Sequence, residues 1–163
     1  MIFKKFFNQN ADKVEFFSNK FHLSPRATEL ILSRGVSSEE EFEEFLNPKV
    51  LHDPFLLKGM TELVDRVKLA KELKDRVLIF GDYDVDGVSA TAIMIKALAQ
   101  FGINADFYLP NRFVDGYGLT NAVIDKIADK FEPNLIITVD CGVSCAAEIE
   151  YAKSKGMEVI VTD

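Results

Sequence analysis

The chain has 163 residues, a formal net charge of −7, 48% hydrophobic and 28% charged residues. A chain of this length fits one domain or one and a half and can bury roughly two-thirds of its unfolded surface, so it needs no disulfide staples. The acidic balance counts against binding nucleic acid through a broad basic face, and no apolar run approaches the 18 or so residues needed to span a bilayer.

Met1-Ile2-Phe3-Lys4-Lys5-Phe6-Phe7 has no continuous apolar h-region and no small-residue cleavage site, so no signal peptide is expected. Residues 1–24 carry Phe3, Phe6, Phe7, Phe16, Phe17 and Phe21, whose spacing near four predicts one or two short helices with the rings as packing residues. Ser24-Pro25 opens a helix through Ala27, Leu30 and Ile31 that stops at Gly35. A second starts at Ser37 or Ser38, since Ser37 with Glu40 and Ser38 with Glu41 both have capping-box spacing. Phe42, Phe45 and Leu46 are expected to form its buried face, the run Glu39, Glu40, Glu41, Glu43, Glu44 a solvated helix start, and Asn47-Pro48 its end. Residues 49–60 read as an irregular connector, and Thr61 is expected to cap a helix carrying Leu63, Val64, Val67, Leu69, Ala70 and Leu73. Thereafter strands and helices alternate: strand 76–80, helix 88–100, strand 104–109, loop 110–119, helix 120–130, strand 134–139, helix 144–155, strand 157–162. Alternation of this kind predicts an α/β fold, a Rossmann-like parallel sheet with flanking helices, preceded by a small helical N-terminal segment. Residues 1–60 are taken as that segment and its connector, and residues 61–163 as the α/β domain.

The first strand runs into Gly81-Asp82-Tyr83-Asp84-Val85-Asp86-Gly87. Three carboxylates at spacing two, on a tight turn at the C-terminal end of a strand, repel one another unless a cation sits among them, and carboxylate oxygens suit Mn²⁺ or Mg²⁺. Asp140 follows the apolar strand Leu135-Ile136-Ile137, and Asp163 ends Val159-Ile160-Val161-Thr162, so three strands each end in aspartate at one edge of the sheet. Cys141 and Cys145, reduced, fit a cytoplasmic protein, and two thiols alone make a poor zinc signature. Asp-x-Asp-x-Asp-Gly also begins a calcium EF-hand loop, but the twelfth position is Ile93 rather than Glu, and a strand precedes it where a helix belongs. Asp84-Val85-Asp86-Gly87 is similar to the Asp-x-Asp-Gly of haloacid-dehalogenase-like phosphatases, although Gly81-Asp82-Tyr83 separates it from its strand.

Leu51-His52-Asp53-Pro54-Phe55, Leu57-Lys58-Gly59-Met60, Ile79-Phe80 with the Gly81–Gly87 run, Pro110-Asn111-Arg112-Phe113, Gly116-Tyr117-Gly118-Leu119, Thr138-Val139-Asp140-Cys141-Gly142 and Val159-Ile160-Val161-Thr162-Asp163 follow one another in family order and spacing. From about residue 25 to its last residue the chain resembles the N-terminal part of the RecJ-type single-strand-specific 5′→3′ exonucleases, a branch of the DHH phosphoesterase superfamily. That resemblance implies two-metal phosphodiester hydrolysis with Mn²⁺ or Mg²⁺, and single-stranded DNA as the partner of the complete enzyme. Asp84, Asp86 and Asp140 match its catalytic metal ligands, Asp82 stands beside them, and Asp163 matches the aspartate of the Asp-His-His motif. Arg112 and the Gly116-Tyr117-Gly118 loop are candidate substrate contacts. No His-His follows Asp163, and His22 and His52 are the only histidines. The isolated chain is therefore expected to be inactive, or completed by a complementary C-terminal chain. The alternatives are a catalytically inactive DHH-fold binding or regulatory module, and a haloacid-dehalogenase-like phosphatase.

Overall fold

The computed structural model describes residues 10–49, 51–116 and 118–163. Phe3, Phe6, Phe7 and Tyr117 lie outside the described residues. The chain divides into two compact units, Met1–Pro54 and Phe55–Asp163.

The first unit holds α1 (Ala11–Phe21), α2 (Pro25–Ser33) and α3 (Glu39–Leu46). Each begins where a side chain can satisfy orphan amides. Asn10 accepts from Asp12 N–H and Lys13 N–H, Ser24 accepts from Ala27 N–H, and Ser38 forms the full capping box with Glu41. Val14, Phe17, Ile31, Leu32 and Phe42 make the core. Phe42 is fully buried, with its ring stacked 4.2 Å from Phe17 and 5.2 Å from Phe21. Phe45, expected on the buried face of α3, is instead 49% exposed. The apolar stripe follows the i, i+4 line through Phe42 and Leu46, which leaves Phe45 on its rim.

The second unit opens with α4 (Met60–Leu73). Thr61 does not cap it. The helix begins one residue earlier, after Gly59 at φ 81°, because Met60 N–H already bonds the Leu57 carbonyl and Leu63 N–H bonds Gly59. Strands β1 (Val77–Gly81), β2 (Asp106–Tyr108), β3 (Leu135–Val139) and β4 (Glu158–Thr162) form one parallel sheet in the order β2-β1-β3-β4. The intervening helices are α5 (Val85–Phe101), α6 (Asn121–Phe131) and α7 (Ala146–Ser154). The expected α/β class with a Rossmann-like parallel sheet is the fold observed. Strand 104–109 contracts to Asp106–Tyr108, with Leu109 and Pro110 outside the ladder, where proline has no amide hydrogen to give.

Every residue of β1 and β3 is buried, as expected of strands covered on both faces. The period of two sorts them. Leu78, Phe80 and Ile136 pack with Val123, Ile124 and Ile127 of α6 and Ala152 of α7. Val77, Ile79, Leu135 and Ile137 pack on the opposite face with Ala70 of α4 and Leu98 of α5. From β1 the chain moves outward through α5 to β2, then returns through α6 to β3 on the other side of β1. The direction of winding therefore reverses between β1 and β3, and the crevice beyond the carboxyl ends of those two strands is where ligands bind in open α/β sheets.

Truncating Phe42 to alanine leaves a large void between two stacked rings. It is expected to cost the N-terminal unit about 3–5 kcal/mol, read as a shift of its helical transition in urea. A shift worth less than about 0.5 kcal/mol would mean that the ring stack is not what holds the three helices.

Candidate functional site

The turn after β1 is built on an unusually close backbone approach. Asp82 is buried, its carboxylate accepts the Tyr83 N–H at 2.7 Å, and its main chain lies against the first turn of α5. A Cβ on Gly87 would fall 2.4 Å from the Asp82 carbonyl oxygen and 2.6 Å from the Asp82 nitrogen, so only glycine fits there. Gly81 is held likewise, because a Cβ would meet Thr91 Oγ1 at 2.1 Å. Asp84 caps the helix, accepting from Asp86 N–H at 3.0 Å and Gly87 N–H at 3.1 Å. The helix therefore starts at Val85 rather than at the expected residue 88. The three aspartates do not share one loop: Asp82 ends the strand connection, Asp84 is the N-cap, and Asp86 sits in the first helical turn. The positive end of the helix dipole offsets part of their charge.

Asp140 leaves β3 in the left-handed conformation, φ 60°, with its N–H bonded to the Thr162 carbonyl of β4 at 3.1 Å. Thr138 supports the turn through its hydroxyl, which donates to the Cys141 carbonyl at 2.8 Å, and Gly142 passes so close that a Cβ would lie 2.7 Å from Thr138 Oγ1. Asp163 accepts the Val143 N–H at 3.3 Å and so ties the end of β4 to the same turn. An open groove of about 660 Å³ runs along this edge, with Asp86, Asp140 and Asp163 in its lining beside Ser89, Met94 and Val139.

Asp140 feels the whole cluster. Partial loss of water, then the negative charges of Asp84, Asp86, Asp82 and Asp163 in that order, raise its carboxyl above the ordinary aspartate range. The other four carboxylates thus all act on Asp140, at the edge where the sequence puts them. Among the described residues, however, no three His, Cys, Asp or Glu side chains are arranged to hold a metal ion. Asp82, Asp84 and Asp163 each have an oxygen turned to a backbone N–H. The donor chemistry, oxygen only and strongly negative, fits a hard divalent cation. Burial, followed by the nearby carboxylates, pushes the Cys141 thiol up to about 12, so in the metal-free chain it stays protonated at neutral pH.

The loop after β2 folds back to the same turn. The Arg112 guanidinium lies over the Tyr83 ring, 5.5 Å from its centroid, between Asp82 and Asp84 in sequence. Gly116 (φ 82°) and Gly118 (φ 72°) take conformations that favour glycine, and a Cβ at either would meet nothing within 4 Å. Backbone conformation, rather than crowding, explains them. Sequence reasoning passed over Asp115, around which the loop is assembled. Its carboxylate receives Asn111 N–H at 2.8 Å, Tyr108 O–H at 3.1 Å and Lys126 Nζ at 2.5 Å. The lysine, foremost, holds the Asp115 carboxyl below its usual range. No local motif announces this anchor, because Lys126 reaches it from α6.

Residues 76–163 match the model of the DHH family, N-terminal domain. The chain is 38% identical over 154 residues to the single-stranded-DNA-specific exonuclease RecJ of Bacillus subtilis, covering 93% of this chain and 20% of that protein. It is 39% identical over 142 residues to the Escherichia coli protein of the same name, covering 86% of this chain and 24% of the relative. Among solved structures, exonuclease RecJ bound to manganese superposes with a TM-score of 0.62 at 34% identity, over 71% of this chain and 29% of that one. The chain thus spans about a fifth to a quarter of the length of these curated relatives.

Two substitutions probe the geometry. Gly87→Ala adds a methyl group to a helix, which ordinarily stabilises by up to about 1 kcal/mol. Here the overlap with Asp82 is expected to reverse the sign and cost about 2 kcal/mol or more. A melting temperature at or above that of the unmodified chain would show that the turn can relax at little cost. Asp140→Asn tests the repulsion. Because folding raises this carboxyl, the folded chain binds the proton more tightly than the unfolded one. The resulting penalty is absent below the unfolded value near 3.8 and fully present above the raised folded value. The variant is expected to melt higher than the unmodified chain at neutral pH, with the gap closing as pH falls below about 4. A gap independent of pH would trace instead to asparagine's ease in the left-handed conformation.

Proposed function

Because the chain belongs to the DHH family, we propose that it is the N-terminal part of a RecJ-like single-strand-specific 5′→3′ DNA exonuclease, with residues 61–163 in its phosphoesterase domain and residues 1–60 as its helical segment and connector. One observation carries this reading. Asp84 and Asp86 follow β1, Asp140 follows β3, and these strands flank the point where the winding of the sheet reverses. Relatives named as single-stranded-DNA-specific exonucleases, and a structure of one bound to manganese, support it.

In this reading Asp84, Asp86 and Asp140 hold Mn²⁺ or Mg²⁺. When bound, two such ions supply an activated water and neutralise charge building on the phosphodiester. Asp82, buried and bonded to the Tyr83 amide, keeps the turn in place and adds negative charge beneath the site. Asp163 fixes the Asp140 turn through Val143 N–H. Arg112, held at the mouth of the turn by Tyr83, offers its fork to a phosphate. The Gly116-Tyr117-Gly118 stretch lets the backbone of a strand approach. The residues described at this edge supply oxygen ligands only, and a complementary C-terminal chain would add to it and bring the basic surface that a chain of net charge −7 does not offer to DNA. The proposed location is the cytoplasm, and no helix among the described residues is long and apolar enough to cross a membrane. A binding or regulatory module that keeps the fold without the chemistry is the second reading, since Asp82, Asp84 and Asp163 each spend an oxygen on a backbone amide. The phosphatase alternative is not kept, since the family match covers the strand, the turn and Asp163 together.

The test combines binding and turnover. Calorimetry is expected to show weak Mn²⁺ binding that Asp84→Asn removes. A gel assay on a 5′-phosphorylated single strand is expected to show no appreciable degradation by the chain alone, and degradation when the complementary portion is added. Tight binding that survives Asp84→Asn would remove the ligand assignment. Robust metal-dependent degradation by the chain alone, lost in Asp84→Ala/Asp140→Ala, would show the partial edge to be sufficient.

A further inference from the structure

Phe113 is 97% exposed, an unusual position for a phenylalanine ring, and the loop that presents it is tightly built. The Asn111 side-chain oxygen accepts Phe113 N–H at 3.0 Å, and the Asn111 carbonyl accepts Val114 N–H at 3.0 Å and Asp115 N–H at 2.7 Å. Asp115 then locks the loop to β2 and α6 through Tyr108 and Lys126. A ring held out by this much hydrogen bonding contributes nothing to the core. Its neighbour Arg112 rests on Tyr83, so the ring is displayed one residue from a guanidinium that touches the Asp82–Asp84 turn.

We propose that Phe113 is a stacking platform for an unpaired nucleobase of the strand whose phosphodiester lies at the carboxylate edge. This deepens the exonuclease reading and rests on it. Every base has a π-face, so an aromatic platform beside a cation captures single strands with little regard to sequence. Bases inside a duplex have both faces covered by their neighbours, so the same ring discriminates against paired substrate. Arg112 would engage the backbone and Phe113 the base, and the pair reads strandedness rather than sequence.

The chain contains no tryptophan, so Phe113→Trp introduces a single reporter. Its fluorescence is titrated at low salt, with Mg²⁺ present, against a 5′-phosphorylated oligothymidylate, an abasic strand of equal charge and a blunt duplex, while anisotropy of labelled strands reports binding independently. The oligothymidylate is expected to quench the indole, and the abasic strand and the duplex are not. Phe113→Ala is expected to weaken oligothymidylate binding about tenfold and to leave abasic binding unchanged, with both variants melting as the unmodified chain does. If the abasic strand binds as tightly as the oligothymidylate and Phe113→Ala changes neither, the stacking role is overturned and the phosphodiester site stands. Equal quenching by the duplex overturns the selectivity. Where the chain alone does not retain a strand, the same comparisons are made with the complementary portion added; if the unmodified chain binds no strand by anisotropy even then, the stacking role and the reading beneath it fall together.

Discussion

Five aspartates at one edge of a four-stranded sheet repel one another, and the local structure is organised around containing that repulsion. Each pair of like charges a few ångströms apart costs free energy that only cations, dipoles or water can relieve. Asp84 and Asp86 are placed at the positive end of α5, Asp82 and Asp163 are given backbone amides, and the Asp140 carboxyl is raised first by partial loss of water and then by the charges of the other four. A divalent cation binding to such a cluster in the folded form would return stability that the free cluster forfeits.

The scaffold resists the strain by being stiff where the charges are anchored. β1 and β3 are buried along their whole length, and their alternating side chains are gripped by α6 and α7 on one face and by α4 and α5 on the other. The turn after β1 has no slack, because the main chain of Asp82 fills the space a side chain at 87 would need. The turn after β3 is equally constrained by Thr138 and Gly142. Carboxylates mounted on such turns can rotate but cannot drift apart as a group. The edge thus combines adjustable donors with an unyielding base.

Much of this was legible in the sequence, and the reasons differ from place to place. The sheet was readable because Val77–Gly81 and Leu135–Val139 are continuous apolar runs each closed by aspartate. The Ser24 cap and the Ser38–Glu41 box were readable because capping is a local interaction between residues three apart. The start of α5 was misplaced by three residues, since Asp84-Val85-Asp86-Gly87 looks like a turn until the Asp84 carboxylate is seen to take two amides. Phe45 was misjudged because apolar character alone does not say which side of a short helix faces its neighbours. Asp115 was invisible because its partners come from β2, from its own loop and from α6. The aspartate edge itself was legible as a set of strand ends, whereas the orientation of each carboxylate depends on amides that no sequence pattern reveals.

The order β2-β1-β3-β4 has a bearing on how the molecule comes into being. Val77 pairs with Leu135, which stands 58 positions further along, so joining the two strands that lead into Asp84 and Asp140 closes a loop that holds α5, β2 and α6. Such long-range pairing must first overcome the entropy of closing a large loop, and it slows folding compared with local contacts. The Gly81–Gly87 segment can form its cap and first helical turn early, yet it faces no opposing carboxylate until β3 docks. Until then Asp82, Asp84 and Asp86 face only one another and water, and the repulsion they exert on Asp140 enters with the pairing of β1 and β3. A nascent polypeptide on the ribosome would emit the first three aspartates of this edge more than fifty residues before the fourth.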